Sequence, residues 1–247
     1  MRKLYIYNGV ILCLIALCLV FFSVQPMLFP QEQSLSDKSS GTSSVLKENN
    51  TKPVSYYCPE KLSEARKKNP DVYAWICIPN TKVDYPVLQS PTNDSYYLRR
   101  DINGEYLLAG SIMSEHTYNK TDFTDPVTVI YGHSMQSGEM FGSLQPNYSS
   151  EKGLEDYKII EIYLPDKKLE YEVFAAVPYD MRHILYNYDF TNPRIFSSFF
   201  KSIMSIRSFN ANIKQEEKPK YGDKVLILSR CLKGDRTKRY LVMAKLK

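Results

Sequence analysis

The chain has 247 residues, of which 43% are hydrophobic and 24% are charged, a composition typical of a globular protein rather than a disordered or fibrous one. Its formal net charge is +5, and the basic residues are spread along the chain rather than concentrated on one helix or strand. A modest, dispersed charge of this kind argues against nucleic acid as a partner, and we predict none.

The N-terminal segment is apolar over a length that predicts a membrane span. No charged side chain occurs from Leu4 to Gln31, and residues 9–24 are almost wholly apolar. With its flanks, this stretch can cross a hydrocarbon core of about 30 Å. Because Arg2 and Lys3 precede it, the positive-inside rule predicts a cytosolic N-terminus and an extracellular remainder. No small-residue cleavage site follows, which favours a retained single-pass anchor in the cell membrane over a removed signal peptide.

The composition divides the sequence into three parts. Residues 1–30 hold the predicted cytosolic tip and transmembrane anchor. Residues 31–54 are mostly Ser, Lys, Glu and Asn, too poor in apolar side chains to stay ordered, and we interpret them as an extracellular polar tether. Residues 55–247 have a length that fits one compact domain, in which we expect the functional site to lie.

The pattern of this domain predicts many short strands and few helices. A helix is predicted over Pro59–Lys68, which begins with Pro and has charges at helical spacing, and a long one over residues 193–209. Strands are predicted at residues 74–78, 85–89, 111–113, 127–131, 158–164, 169–177, 224–228 and 240–244. Short strands interrupted by helices favour a mainly β fold closed into a barrel over a doubly wound sheet.

The five cysteines differ in their surroundings. Cys13 and Cys18 lie in the apolar N-terminal stretch, where they act as small apolar residues. Outside it are Cys58, Cys77 and Cys231, an odd number, so at least one thiol is free within a monomer. Cys77 alternates with strand neighbours and is interpreted as a core residue. No C-x-x-C pair accompanied by His suggests zinc, and we predict neither a metal nor a cofactor.

Three groups suited to acyl transfer are predicted at strand ends. Cys231 closes one apolar run just before a polar segment, His133 follows the strand predicted at residues 127–131, and Arg239 opens the last run. A thiol, an imidazole and a guanidinium are the parts of a cysteine acyl-transfer site. Spacing alone leaves open a structural role for His133, a plain surface charge at Arg239, and Arg236 as a rival for the Arg role. His116 and His183 have no such context, and we interpret them as solvent or packing residues.

Two motifs resemble those of class B sortases. Residues 227–231 (ILSRC), with Arg239 eight positions after Cys231, are similar to the Thr-Leu-x-Thr-Cys thiol motif. Residues 129–144 (VIYGHSMQSGEMFGSL) are similar to the Tyr-Gly-His-Asn-Met and Met-Phe-x-x-Leu of that class. Residues 71–81, 83–87, 96–98 and 110–112 continue the resemblance, which runs from Pro59 over nearly the whole remaining chain.

The resemblance implies a fold and a reaction. The fold is an eight-stranded sortase-type barrel with an N-terminal helix and one long helix before the Cys strand. The reaction is transpeptidation, in which a sorting-signal peptide bond is cleaved, a thioester forms on Cys231 and an amine resolves it. His133 would protonate the leaving amine, and Arg239 would hold the oxyanion. The implied partners are surface proteins or pilins that carry a sorting signal, and an amine of the peptidoglycan precursor or of a pilin.

Three further residues, Leu98, Tyr131 and Ser229, resemble positions that line the class B substrate groove. Each could equally be a core residue. Residues 114–116 (SEH) replace a more apolar segment of the family.

The sequence departs from the family at three positions. Ile227 and Arg230 stand where the thiol motif has Thr, and Ser134 stands where the His motif has Asn. Strand alternation turns Arg230 to the face opposite Cys231 and Ser229, unless alternation fails at the strand end and leaves it by the groove. These departures are expected to affect substrate fit more than nucleophilicity.

Two other functions remain open at this stage. The first is a papain-like or wall-amidase cysteine hydrolase, but those enzymes place Cys before His, and here His133 precedes Cys231. The second is a membrane-tethered binding protein without chemistry, which the Arg at position 230 keeps possible.

Overall fold

The computed structural model describes residues 59–232 and 235–247. The helices are α1 Pro59–Lys68, α2 Leu144–Tyr148, α3 Glu151–Asp156, α4 Ile184–Asn187 and α5 Pro193–Met204. The strands are β1 Val72–Cys77, β2 Asp84–Leu88, β3 Ile112–Met113, β4 Val127–Tyr131, β5 Ile159–Tyr163, β6 Lys168–Tyr179, β7 Asn212–Ile213, β8 Val225–Leu232 and β9 Asp235–Leu246. Two 3-10 turns lie at Tyr96–Arg99 and Gln215–Glu217.

Eight of these strands close into a barrel, as predicted. Their order is β5-β1-β2-β3-β4-β8-β9-β6, and β6 pairs back with β5, so that the ring has no open edge. The pairs β2–β3 and β4–β8 are parallel, and the other pairs of the ring are antiparallel. The two-residue strand β7 pairs with β6 outside the ring. The predicted mainly β fold with few helices is therefore confirmed.

Alternation along the strands builds two apolar layers. In β8, Leu226 and Leu228 face the barrel interior, and Val225 and Ile227 face a second cluster outside it. That outer cluster is covered by α5, which supplies apolar residues at helical spacing, namely Phe196, Phe199, Phe200 and Ile203. The barrel wall is thus packed on both faces along most of β8.

The N-terminus of α5 lies where the sequence predicts it. Pro193 occupies the first turn, and the Asn192 side chain accepts hydrogen bonds from two backbone amides there. The helix ends at Met204, five residues before the predicted end at 209. Ile206 still packs against the outer cluster, but Phe209 is 98% exposed, so continued helix would have buried no further apolar face.

The last strand also begins earlier than predicted. The sequence indicates a run from residue 240, whereas β9 begins at Asp235. Asp235, at its start, pairs with Leu232 at the end of β8. Helix α1 has the predicted bounds, and β4 coincides with residues 127–131.

The predicted location in the cell membrane is not supported by the structure and is corrected here. Among residues 59–232 and 235–247, no helix is long and apolar enough to cross a bilayer. The longest of them, α5, has 12 residues, whereas a span needs about 20. The stretch at residues 9–24 on which that prediction depended, and the tether at 31–54, lie outside the described residues.

Candidate active site

The parallel pairing of β4 with β8 brings the positions of His133 and Cys231 to the same end of the barrel. Tyr131 is in register with Ser229, and the amide of Gly132 donates to the Ser229 carbonyl at 3.2 Å. His133 and Cys231 each lie two residues beyond that register pair. Parallel strands end at the same edge of a sheet, so these two distant parts of the sequence meet there.

The antiparallel pairing of β8 with β9 adds the third position. Arg239 is the register partner of Cys231. The register shifts between Cys231 and Leu232, whose partner is Asp235, so residues 236–238 lie between two successive paired positions. The backbone of Arg236 therefore belongs to an irregular stretch of β9, and that of Arg239 is fixed opposite Cys231. This difference favours Arg239 over its rival.

The imidazole of His133 is held by a backbone carbonyl. Its Nε2 lies 2.8 Å from the oxygen of Leu98, in the 3-10 turn. A carbonyl can only accept a hydrogen bond, so Nε2 carries the proton in this contact and Nδ1 is left for proton transfer. The contact also fixes the orientation of the ring relative to the end of β8.

Two glycines allow the close packing of the backbone around His133 and its carbonyl acceptor. Gly110 has φ +56°, and a Cβ there would lie 2.3 Å from the same Leu98 oxygen that receives the His133 hydrogen bond. At Gly132 a Cβ would lie within 2.6 Å of the Ile112 and Phe141 side chains. Any larger residue would displace either the acceptor of His133 or the backbone that precedes it.

A cleft of about 180 Å³ collects the predicted residues whose side chains the structure describes. They are Leu98, Tyr131, His133, Ser229 and Arg239. Leu98 is 45% exposed, whereas Ser229 is buried at the cleft floor. A larger groove of about 930 Å³, formed by α3 and residues 206–216, contains none of the predicted residues. The small cleft is where the chemistry-bearing groups converge, so we assign the candidate site to it.

The same cleft contains a carboxylate and an imidazole that the sequence did not indicate. His183 lines it, and its Nε2 lies 2.8 Å from Oε2 and 3.0 Å from Oε1 of Glu115. The Nδ1 of His183 accepts a hydrogen bond from the Tyr186 amide, so its proton is on Nε2 and points at the carboxylate. His183 also packs against the rings of Tyr118 and Tyr131, so its interpretation as a packing residue is compatible with the structure, which adds a specific carboxylate partner. Both nitrogens of His183 are engaged, whereas at His133 only Nε2 has a hydrogen-bond partner among the described residues.

Tyr131 lies in the same cleft, near Glu115 and His183. Its hydroxyl is buried and lies beside the Glu115 carboxylate, without a direct hydrogen bond in the described part of the structure. Burial, followed by the negative charge of Glu115, raises the pKa of Tyr131 well above its ordinary value, while Arg239 acts in the opposite direction. The hydroxyl is neutral at physiological pH and can donate a hydrogen bond to a group that enters the cleft.

A second His–carboxylate pair stands at the rim. His116 Nδ1 lies 2.6 Å from Oδ1 of Asp94, a residue of the cleft wall. Burial acts to raise the pKa of Asp94, but hydrogen bonds from Thr117 and the neighbouring His116 bring it below its ordinary value. His116 thus has a specific partner, which its sequence context did not predict.

Arg230 does not line the cleft. It is 0% exposed and, like Leu226 and Leu228, points to the barrel interior. Strand alternation therefore holds up to this position, and the alternative that Arg230 borders the groove is wrong. Ile227, the other departure in the thiol motif, is also fully buried.

Comparison with known proteins gives a consistent picture. Residues 76–247 match the sortase domain family. Sortase B of Listeria monocytogenes is 30% identical over 183 residues, which are 70% of this chain and 67% of that protein. The structure of a Staphylococcus aureus sortase B–substrate complex is 25% identical, with a TM-score of 0.61 over 76% of this chain and 85% of that one. Sortase B of Bacillus anthracis is 28% identical, with a TM-score of 0.64 over 75% of this chain and 82% of that one.

Proposed function

The chain belongs to the sortase family and, with its relatives, to class B, so it is a sortase transpeptidase; we propose that it acts through a thioester formed on Cys231. The observation that carries this proposal is the strand register. It sets the backbone of Cys231 between the strand end that leads to His133 and the position of Arg239. These three groups can supply the nucleophile, the proton donor and the oxyanion contact of a cysteine acyl transfer.

In the first half of the proposed reaction, the Cys231 thiolate attacks the carbonyl carbon of the scissile peptide bond. The tetrahedral intermediate collapses by breaking the C–N bond, and the leaving amine takes a proton from His133. The hydrogen bond from Nε2 to Leu98 supports this role, because it leaves Nδ1 to face the reacting atoms. In the second half an acceptor amine loses its proton to His133 and attacks the thioester, and cleavage of the C–S bond releases the Cys231 thiolate.

Arg239 is proposed to stabilise the oxyanion. Its guanidinium is always protonated and offers several donors in a fixed plane, which suits a carbonyl oxygen that gains negative charge in the transition state. Leu98, Tyr131 and Ser229 are proposed to contact the substrate. Their shared place in the cleft supports this.

We propose that the substrates are proteins with a C-terminal sorting signal, either surface proteins or pilins. The amine would come from a peptidoglycan precursor or a pilin lysine. The S. aureus relative has been solved as a complex with its substrate, which supports a substrate-binding role for this chain.

The test is a reaction of the full chain with pentapeptides of the types Asn-Pro-x-Thr-x and Leu-Pro-x-Thr-Gly, with and without an amine acceptor, followed by mass spectrometry. A transpeptidase forms a product that contains the amine, and its yield rises with amine concentration. Cleavage with only hydrolysed product would indicate the cysteine hydrolase alternative. Binding without cleavage of any peptide would indicate a binding protein and contradict the proposal.

A further inference from the structure

Arg230 is the largest fully buried side chain described in the structure, and it connects two parts of the candidate site. Its Nη2 donates to Oγ of Ser134 at 2.5 Å, and its Nη1 donates to the carbonyl of Gly142 at 3.3 Å. A buried guanidinium is costly unless acceptors compensate for lost water, so these contacts are expected to be held firmly.

Both acceptors belong to the loop that begins at His133. Ser134 is the next residue, and it forms an isolated β-bridge with Met140. The Phe141 amide donates to the His133 carbonyl at 2.9 Å, and Gly142 follows immediately. The loop is therefore closed on itself near His133, and Arg230 is bonded to both of its ends.

The other end of the connection is the strand that carries the nucleophile. Arg230 immediately precedes Cys231 in β8, and its backbone is paired with Tyr240 of β9. The guanidinium reaches through the barrel interior from β8 to the loop after β4. A displacement of the loop would have to break a hydrogen bond to a buried charge.

We propose that Arg230 is a positioning residue that ties the strand of Cys231 to the loop of His133 and so sets the separation of thiol and imidazole. The inference rests on the proposed function, in which these two residues react together. It also gives two of the three departures from the family motifs one explanation, because the Arg in place of Thr is bonded to the Ser in place of Asn. A planar guanidinium can hold two acceptors at fixed directions, which an ammonium cannot do equally well.

The first experiment needs no substrate. The rate of Cys231 alkylation by iodoacetamide is measured against pH in the full chain, with peptide mapping to separate this thiol from the others. His133→Ala is introduced into the wild-type and Arg230→Met backgrounds. We expect His133→Ala to change the pH profile of the alkylation rate strongly in the wild type. In the Arg230→Met background the change should be less than twofold, because the imidazole no longer lies beside the thiol. Arg194→Met removes an exposed guanidinium on α5, and in this control background His133→Ala should have the same effect as in the wild type.

Two outcomes would overturn the inference. An equal effect of His133→Ala in both backgrounds would show that Arg230 does not set the separation, while leaving the proposed function intact. No effect of His133→Ala in the wild type would remove the pairing of His133 with Cys231, and with it both proposals. Ser134→Ala tests the same contact with a minimal change that preserves folding, and it should weaken the coupling in part.

The second experiment separates positioning from substrate contact. With a cleavable peptide, Arg230→Lys and Ser134→Ala should lower kcat, the former by about tenfold, with KM within about twofold of the wild type. Replacing both residues with the family pair, Arg230→Thr with Ser134→Asn, should recover more activity than Arg230→Thr alone. A rise in KM at constant kcat, or no recovery in the pair, would contradict the positioning role.

Discussion

The open and the covered parts of strand β8 differ in what they can touch. At the open end, Ser229 lines the cleft, and the backbone of Cys231 lies opposite Arg239. In the covered part, Ile227 packs beneath α5, and Arg230 is enclosed by the barrel. Arg230 differs from Ser229 because successive side chains point to opposite faces, whereas Ile227 shares the face of Ser229 and differs from it because α5 covers that part of the strand.

The comparison shows where the departures from the family fall. Both replacements in the thiol motif, Ile227 and Arg230, lie in the covered part, and Ser229, which the motif leaves variable, faces the cleft. Neither replaced side chain lines the cleft, and the expectation that they affect substrate fit stays a prediction. They change the support of the site, so we expect cleft residues to control turnover and covered residues to control stability or positioning.

Among the cleft residues, we expect a change at His133 to have the largest effect on turnover. His133→Ala removes the proposed acid at the open end, and peptide turnover should fall by about a hundredfold or more. His183→Ala is the matched control, because that imidazole lines the same cleft but is bonded at both nitrogens. Its effect on kcat should be several times smaller. A reversed order of the two variants in steady-state kinetics would move the acid to His183.

A change at Arg239 tests the other side of the open end. Arg239→Lys keeps the charge but loses the planar fork, and the loss of one oxyanion donor costs on the order of 3 kcal/mol of transition-state stabilisation. Arg236→Lys should be mild, because its backbone lies in the irregular stretch of β9. A comparison of kcat/KM for the two variants decides the assignment, and a crippling effect at Arg236 alone would transfer the role to it.

The support of His133 can be tested through its carbonyl acceptor. Gly110→Ala would place a Cβ against the Leu98 oxygen and displace it, so kcat should fall about tenfold or more. Gly222→Ala introduces a similar strain at φ +106° but meets no atom within 4 Å. It should lower the denaturation midpoint without lowering kcat. Equal kcat values in the two variants would show that the Leu98 contact is not needed.

The smallest effect on turnover is expected in the covered part. Ile227→Thr restores the family residue but buries a hydroxyl in an apolar cluster, which should cost about 2–4 kcal/mol of unfolding free energy. Turnover per folded molecule should stay within about twofold. Val129→Thr, at the register partner on β4, should behave alike in urea denaturation and kinetics. A large gain in kcat from Ile227→Thr would show that this position reaches the substrate.

Much of the barrel could be predicted because strands and turns leave local signals. β4 was predicted at its observed bounds, since an apolar run is followed directly by Gly132 and His133. The end of α5 could not be predicted, because the apolar spacing continues to Phe209 and only the tertiary structure shows that nothing covers it. The short helices α2, α3 and α4 have too few residues for a periodic signal.

The site was predictable where a family motif marks it and not where tertiary contacts build it. His133, Arg239 and the groove residues were named from motifs, and the structure brings them into one cleft. Glu115 and His183 are 68 residues apart, and neither has a motif, so their contact depends on how β3 and α4 pack. The bond of Arg230 to Ser134 spans 96 residues and could be seen only as two separate departures.

The measurement that tests the account most directly is the location of the acyl group. The full chain is mixed with a cleavable sorting-signal peptide, quenched in acid and mapped by mass spectrometry. The account predicts that the N-terminal fragment of the substrate is attached to the peptide that contains Cys231, is removed by hydroxylamine, and is absent from Cys231→Ala, whereas Cys77→Ala still becomes acylated. An acyl group on another residue, or peptide cleavage by Cys231→Ala, would contradict it.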